Sequence, residues 1–175
     1  MKRILTGGLL FLGIAFAACK PEEEPLKGPA LSEIERSILR VNQYILKRNL
    51  DHIRGFVKRS GWDMKQTGSG LFYEISREGR GGNAEKGDRV IIAYELLLID
   101  GTPVSSSRNE GPLNFIVGQG GVTSGLEEAV LLMKEGSNAR LILPPHLAYG
   151  NFGDAELGIP PDAIVIYRLQ LISIQ

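Results

Sequence analysis

The chain is short of nearly everything from which a metal centre or an activated nucleophile is built. Among its 175 residues there is one cysteine, Cys19, and two histidines, His52 and His146, far apart in the sequence. A sole cysteine excludes an intrachain disulfide. Two distant histidines with no cysteine beside them do not make a ligand set, so no metal and no cofactor is expected. Charge of one sign is also missing. The 20 basic and 20 acidic residues balance, which removes the electrostatic footprint of a nucleic-acid binder. No apolar run reaches the ~20 residues needed to cross a bilayer as a helix. Gly118-Gln119-Gly120-Gly121 is glycine-rich but is not a dinucleotide fingerprint, because position 123 is threonine. Ser105, Ser106 and Ser107 lack a Gly-x-Ser-x-Gly elbow, and Glu127 and Glu128, adjacent on a predicted helix, point to different faces. What remains is a glycine-rich chain with 22 glycines and 43% apolar residues, the composition of a turn-rich globular domain.

The amino terminus reads as a targeting segment. Lys2-Arg3 precede an apolar stretch from Ile4 to Ala18, the pattern of a signal peptide rather than of a membrane span. It ends in Phe16-Ala17-Ala18-Cys19. Small residues before the cysteine resemble a bacterial lipobox, although Phe16 stands where an aliphatic residue is usual. The resemblance implies removal of residues 1–18 and lipidation of Cys19. The mature chain would carry a net charge of −2, because removal takes Lys2 and Arg3 from the 20 basic residues and nothing from the 20 acidic ones. Lys20 is not the aspartate associated with inner-membrane retention, so the outer membrane is expected, on its periplasmic side. The acidic run Glu22-Glu23-Glu24 is also compatible with display on the cell surface. Residues 19–30 then form a proline-containing tether.

Residues 31–61 read as a helical segment. Ser32 and Glu35 have the spacing of a capping box, and Ile34, Ile38, Val41 and Ile45 recur at helical period. Asn49 to Asp51 are expected to kink or break the helix before Leu50, Ile53, Phe56 and Val57 continue it. The apolar stripe has to be buried, against its own domain or against a partner, and the sequence leaves both open. From Trp62 the period becomes two. Strands are expected at 71–75, 90–99, 113–117, 140–143 and 164–174, with one internal helix from Gly125 to Met133. The fold class is therefore α+β: a twisted antiparallel sheet of about five strands wrapped over one short helix, filling residues 62–175, with an apolar cleft between helix and sheet.

The order of motifs over residues 87–175 resembles the FKBP-type peptidyl-prolyl isomerases. The resemblance is carried by Gly87-Asp88, the strand reaching Tyr94, Ile99-Asp100-Gly101-Thr102, Gly111-Pro112, Phe115-Ile116-Val117-Gly118 and Gly125-Leu126-Glu127-Glu128-Ala129. It continues through Ala148-Tyr149-Gly150 and Ile159-Pro160-Pro161. It implies catalysis of Xaa-Pro rotation in a shaped apolar pocket, with no covalent intermediate. Carried over position by position, the catalytic wall would comprise Tyr149, Tyr94, Val104, Ser105, Leu126 and Tyr167. Leu113, Phe115, Val122, Thr123 and Ile159 would bind the substrate. Tyr149 would orient a substrate carbonyl through its hydroxyl.

This chain also departs from the family. Val104 and Ser105 stand where an aromatic residue and an aspartate are usual, Leu126 replaces a tryptophan, Thr123 an aliphatic residue and Tyr167 a phenylalanine. Weak activity and reduced macrolide binding are expected. The partners implied are proline-containing unfolded or nascent exported proteins and, through the lipid anchor, a membrane. An envelope complex or a homodimer through the N-terminal helix is also open. Other readings of the same chain are a non-catalytic chaperone and a structural subunit of an outer-membrane secretion or motility machine, similar to the gliding-motility-associated FKBP lipoproteins.

Overall fold

The computed structural model describes residues 32–175. The signal segment, Cys19 and the tether lie outside the described residues. Helix α1 (Glu33–Ser60) opens with the expected capping box: Ser32 Oγ accepts from the Glu35 N–H at 3.2 Å, and Glu35 Oε2 accepts from the Ser32 N–H at 2.7 Å. It closes on Gly61 in the left-handed region (φ 66), with Lys58 and Arg59 in the last turn facing the negative end of the helix dipole. The expected break at Asn49 to Asp51 does not occur, and the helix runs unbroken for 28 residues. Helix propensity is a weak preference there, and burial overrides it. Leu50 and Ile53 dock on the sheet, Asn49 is itself buried, and Asp51 is paired with Arg54 at 3.0 Å. Among the described residues no helix is long and apolar enough to cross a membrane.

The chain continues as β1 (Lys65–Gln66), β2 (Phe72–Arg77), β3 (Arg80–Asn83), β4 (Arg89–Leu98), β5 (Pro103–Ser106), the single turn α2 (Ser107–Glu110), β6 (Leu113–Ile116), α3 (Ser124–Val130), β7 (Lys134–Glu135), β8 (Asn138–Leu143), a 3-10 turn (Pro145–Leu147) and β9 (Val165–Ile174). All five expected strands are present. The sheet has seven because β1 and β5, too short to show a period, join it in the order β1-β2-β8-β9-β4-β5, with β6 also on β4. Every pairing in it is antiparallel. β3 and β7 form a separate two-stranded ribbon. Helix α3 is shorter than expected: Leu132 and Met133 donate to carbonyls three residues back, tightening the end of the helix into a turn.

Alternation on β4 sends Val90, Ile92, Tyr94 and Leu96 to one face, where they meet Tyr167, Leu169 and Leu171 of β9 and Leu126, Ala129 and Val130 of α3. Gly125 permits the close approach of α3 to β8, because a Cβ there would lie 2.6 Å from Leu143 Cδ2 and 2.9 Å from the Leu147 carbonyl oxygen. The other face is apolar as well, at Phe72, Ile142, Ile164 and Ile166, and is covered by Ile53 of α1. Coverage on both sides explains why Leu141-Ile142-Leu143 and Val165-Ile166-Tyr167 are continuous apolar runs. Trp62, just past the helix, fixes that end of the docking. It meets Phe56 edge to face at 5.3 Å and lies under the Arg140 guanidinium at 4.2 Å.

Only the second half of α1 docks. Ile34, Ile38, Leu39, Val41 and Tyr44 stay exposed, Ile34 at 73%. The two burial routes left open by the sequence thus divide along the helix: its own domain takes the second half, and none of the described residues covers the first.

Candidate isomerase pocket

A cavity of about 500 Å³ opens between α3 and the inner face of the sheet. Tyr94 and Leu96 line it from β4, Ser105 from β5, Leu113 from β6, Leu126 from α3 and Tyr167 from β9. Val122 and Thr123 come from the segment before α3, and Tyr149 follows the 3-10 turn. The pairing of strands explains the grouping: Leu96 lies opposite Tyr167 on one side and Ser105 on the other, and Ile92 lies opposite Leu113. Pro144 and Pro145 lead into the turn. The Ala148 and Gly150 N–H groups both donate to the Pro145 carbonyl, at 3.0 and 2.8 Å, and this presents Tyr149 at the rim. The loop beyond closes through a two-way bridge, in which the Asp154 N–H donates to the Ile159 carbonyl (2.8 Å) and the Ile159 N–H to the Asp154 carbonyl (2.7 Å). Gly153 (φ 67) makes that closure possible, since a Cβ would lie 2.2 Å from the Ile159 oxygen.

Three of the expected pocket residues are placed behind the wall. Phe115 is buried over the core, two residues along the same strand face as Leu113. Ile159 is buried in the bridge that closes the loop. Val104 packs half-buried against the core beside Ser105 without reaching the cavity. Five lining residues are not among those expected from sequence: Leu96, Glu110, Gly121, Ala148 and Leu157. Leu96 follows Tyr94 at period two and was accessible by that rule. Leu157 comes from the loop, where no period operates.

The walls are apolar but the floor carries hydroxyls. Tyr94 and Ser105 share a hydrogen bond of 3.0 Å between their hydroxyl oxygens, and the Tyr94 N–H donates to Ser107 Oγ at 3.1 Å. The hydroxyls of Tyr149 and Tyr167 are 3.0 Å apart. Tyr94 and Tyr167 have ring centroids 6.3 Å apart, tilted by 52°. Burial raises the pKa of Tyr149 above its ordinary value, and the Tyr167 hydroxyl works in the opposite direction. Burial raises Tyr167 further, reinforced by the charge that Tyr149 would carry, so both phenols are neutral at physiological pH. Such a site holds a small apolar ring and gives it one oriented hydrogen-bond donor. The lining's one carboxylate, Glu110, has no histidine or second carboxylate beside it there for acid-base work.

Comparison with known proteins agrees with this geometry. The profile of the FKBP-type peptidyl-prolyl cis-trans isomerase family matches residues 81–172. The chain is 37% identical over 131 residues to the probable FKBP-type isomerase FkpA of Neisseria meningitidis serogroup B, a stretch covering 73% of this chain and 47% of that protein. It is 39% identical over 108 residues to FK506-binding protein 1A of Neurospora crassa, covering 61% of this chain and 89% of that one. The crystal structure of Escherichia coli FkpA superposes with a TM-score of 0.63 at 27% identity, over 83% of this chain and 74% of that one. The chain spans about half the length of the FkpA relatives it matches in sequence.

Proposed function

This chain belongs to the FKBP-type peptidyl-prolyl cis-trans isomerases, and from that premise we propose that it catalyses Xaa-Pro rotation in exported proteins as they fold in the bacterial cell envelope. Uncatalysed rotation takes tens to hundreds of seconds, over a barrier of about 18–20 kcal/mol, because the planar amide is held by resonance. The twisted transition state loses that resonance and its charge separation. Walls such as Leu96, Leu113, Val122 and Leu126 therefore favour the twisted amide over the planar one, which water stabilises better. Tyr149 holds a carbonyl of the peptide so that rotation happens against a fixed end.

The single observation that carries this reading is the Tyr149 hydroxyl at the rim of a cavity whose lining is mostly aliphatic and aromatic. Turnover is weak in this reading, because Leu126, lining the cavity where a tryptophan is usual, offers a proline ring less aromatic surface. The test is an exchange assay on the purified chain with a series of proline tetrapeptides, run beside a Tyr149→Ala variant. Turnover abolished by the substitution supports the reading. A folded chain with no turnover above background would sink it.

Envelope anchoring through Cys19 is part of the same proposal, supported by the Ala17-Ala18-Cys19 motif after an apolar segment. Incorporation of labelled fatty acid, absent in Cys19→Ser, tests it. Retention in the outer membrane follows from Lys20 and is read by fractionation.

One observation favours a second activity, client or partner binding: the uncovered stripe of Ile34, Ile38, Leu39, Val41 and Tyr44 on α1. In this reading the stripe is covered by a second copy of the chain, so that two cavities are held apart on one helical stalk.

A further inference from the structure

Resting on the isomerase reading, we infer that Thr123, Tyr167 and Tyr149 form a one-way hydroxyl relay, in which Thr123 donates to Tyr167, Tyr167 to Tyr149, and Tyr149 to a carbonyl of the bound peptide. Thr123 and Tyr167 are positioning residues in this scheme, and only Tyr149 touches the substrate.

The first ground is the 3.0 Å separation of the two phenol oxygens, across which one must donate and the other accept. Tyr167 is 3% exposed, so its single proton has little prospect of a water partner and is placed on Tyr149. The second ground is Thr123. It is the N-cap of α3, where a threonine oxygen ordinarily accepts from the first turn of the helix, yet its side chain makes no capping bond. Its Oγ1 is buried and has no hydrogen-bond partner among the described residues. It lines the same cavity as Tyr167. A buried hydroxyl withdrawn from its cap, in the same lining as the Tyr167 phenol, is available to supply a donor.

The direction follows from counting protons. If Tyr149 donated to Tyr167 and Tyr167 to Thr123, the Thr123 proton would have no acceptor and the cavity would face a bare phenol oxygen. The stated order uses every buried proton and ends with one in the cavity. The Tyr94–Ser105 pair is closed on itself and does not compete. Hydrogen bonds in series polarise one another, so the terminal O–H is a stronger donor than an isolated phenol.

Two measurements test the relay. In a double-mutant cycle, Tyr167→Phe is expected to lower kcat/KM about fivefold, in line with one hydrogen bond. The same change in a Tyr149→Phe background is expected to do almost nothing. Thr123→Val should copy Tyr167→Phe, and Thr123→Ser should retain activity. Losses that simply add would overturn the relay, because a packing role for Tyr167 does not depend on the Tyr149 hydroxyl. The second measurement needs no turnover: titration of Tyr149 by NMR of tyrosine carrying a carbon-13 label at Cζ. In Tyr167→Phe the Tyr149 pKa is expected to rise; a fall, or no change, would refute the direction. A chain that turns nothing over would defeat the isomerase reading while the titration still decided the relay.

Discussion

The hydroxyl oxygens of Tyr94 and Ser105 lie 3.0 Å apart, a bond between neighbouring strands β4 and β5 that pins the Tyr94 ring against the cavity. Both partners of this latch are uncharged hydroxyls. Ser105→Ala is expected to lower kcat/KM by about two- to fivefold, with a stability change of about 1 kcal/mol. Restoring the family pair with Val104→Phe/Ser105→Asp is expected to raise turnover of proline tetrapeptides. Equal turnover in the double variant would mean that the two departures do not limit the enzyme.

Helix α1 is two helices in energetic terms. Ile53 has no exposure and packs among Phe72, Ile142 and Ile166, so Ile53→Ala is expected to cost about 2–5 kcal/mol in urea unfolding. Ile38 is more than half exposed, and Ile38→Ala should leave the unfolding of a monomer within about 0.5 kcal/mol. If a second copy covers the stripe, Ile34→Glu/Ile38→Glu halves the mass measured by light scattering and leaves peptide turnover intact. A chain that is monomeric before substitution would rule that partner out.

Gly125 sets two effects against each other. Replacing it with alanine improves helix propensity by about 1 kcal/mol. The new Cβ would lie 2.6 Å from Leu143 Cδ2 and 2.9 Å from a backbone oxygen at Leu147, and backbone yields less readily than a side-chain end. Overpacking of this kind costs about 1–3 kcal/mol, so Gly125→Ala is expected to be net destabilising. Because Leu126 lines the cavity, α3 moving away should also weaken peptide binding, read as a higher KM.

The long strands were legible because alternation at period two persists over them, and the motif order placed Tyr94, Leu126, Tyr149 and Tyr167 around one cavity. What could not be read is whatever tertiary contact decides. Asn49 reads as a helix break because its propensity is poor, but the sheet beneath Leu50 and Ile53 holds the helix through it. Phe115 has the same facing as Leu113, and only the position of α3 decides that one reaches the cavity and the other the core. Pro103–Ser106 is too short to announce a strand, so the side of the pocket that Ser105 occupies was accessible only through resemblance. The hydroxyl floor likewise needs distances. Nothing in the spacing of Tyr149 and Tyr167 says that their hydroxyls meet.

Alkaline pH gives a last test of that floor. Burial raises the pKa of both Tyr149 and Tyr167 above the value of about 10 that a tyrosine has in an unfolded chain. Above about pH 10 the unfolded chain therefore releases phenolic protons that the folded chain keeps. Stability from the neutral phenols is fully present below that pH and is lost as pH rises through it. Tyr167→Phe removes the more deeply buried of the two groups while keeping its ring. At about pH 8 the variant should be the less stable protein, because it lacks one hydrogen bond. At about pH 11 the difference in urea midpoint should shrink or change sign. Turnover by the unsubstituted chain should stay flat from neutral pH to about 10, since neither phenol ionises in the folded state over that range. A loss of stability equally steep in both proteins would mean that Tyr167 is not the group that resists ionisation.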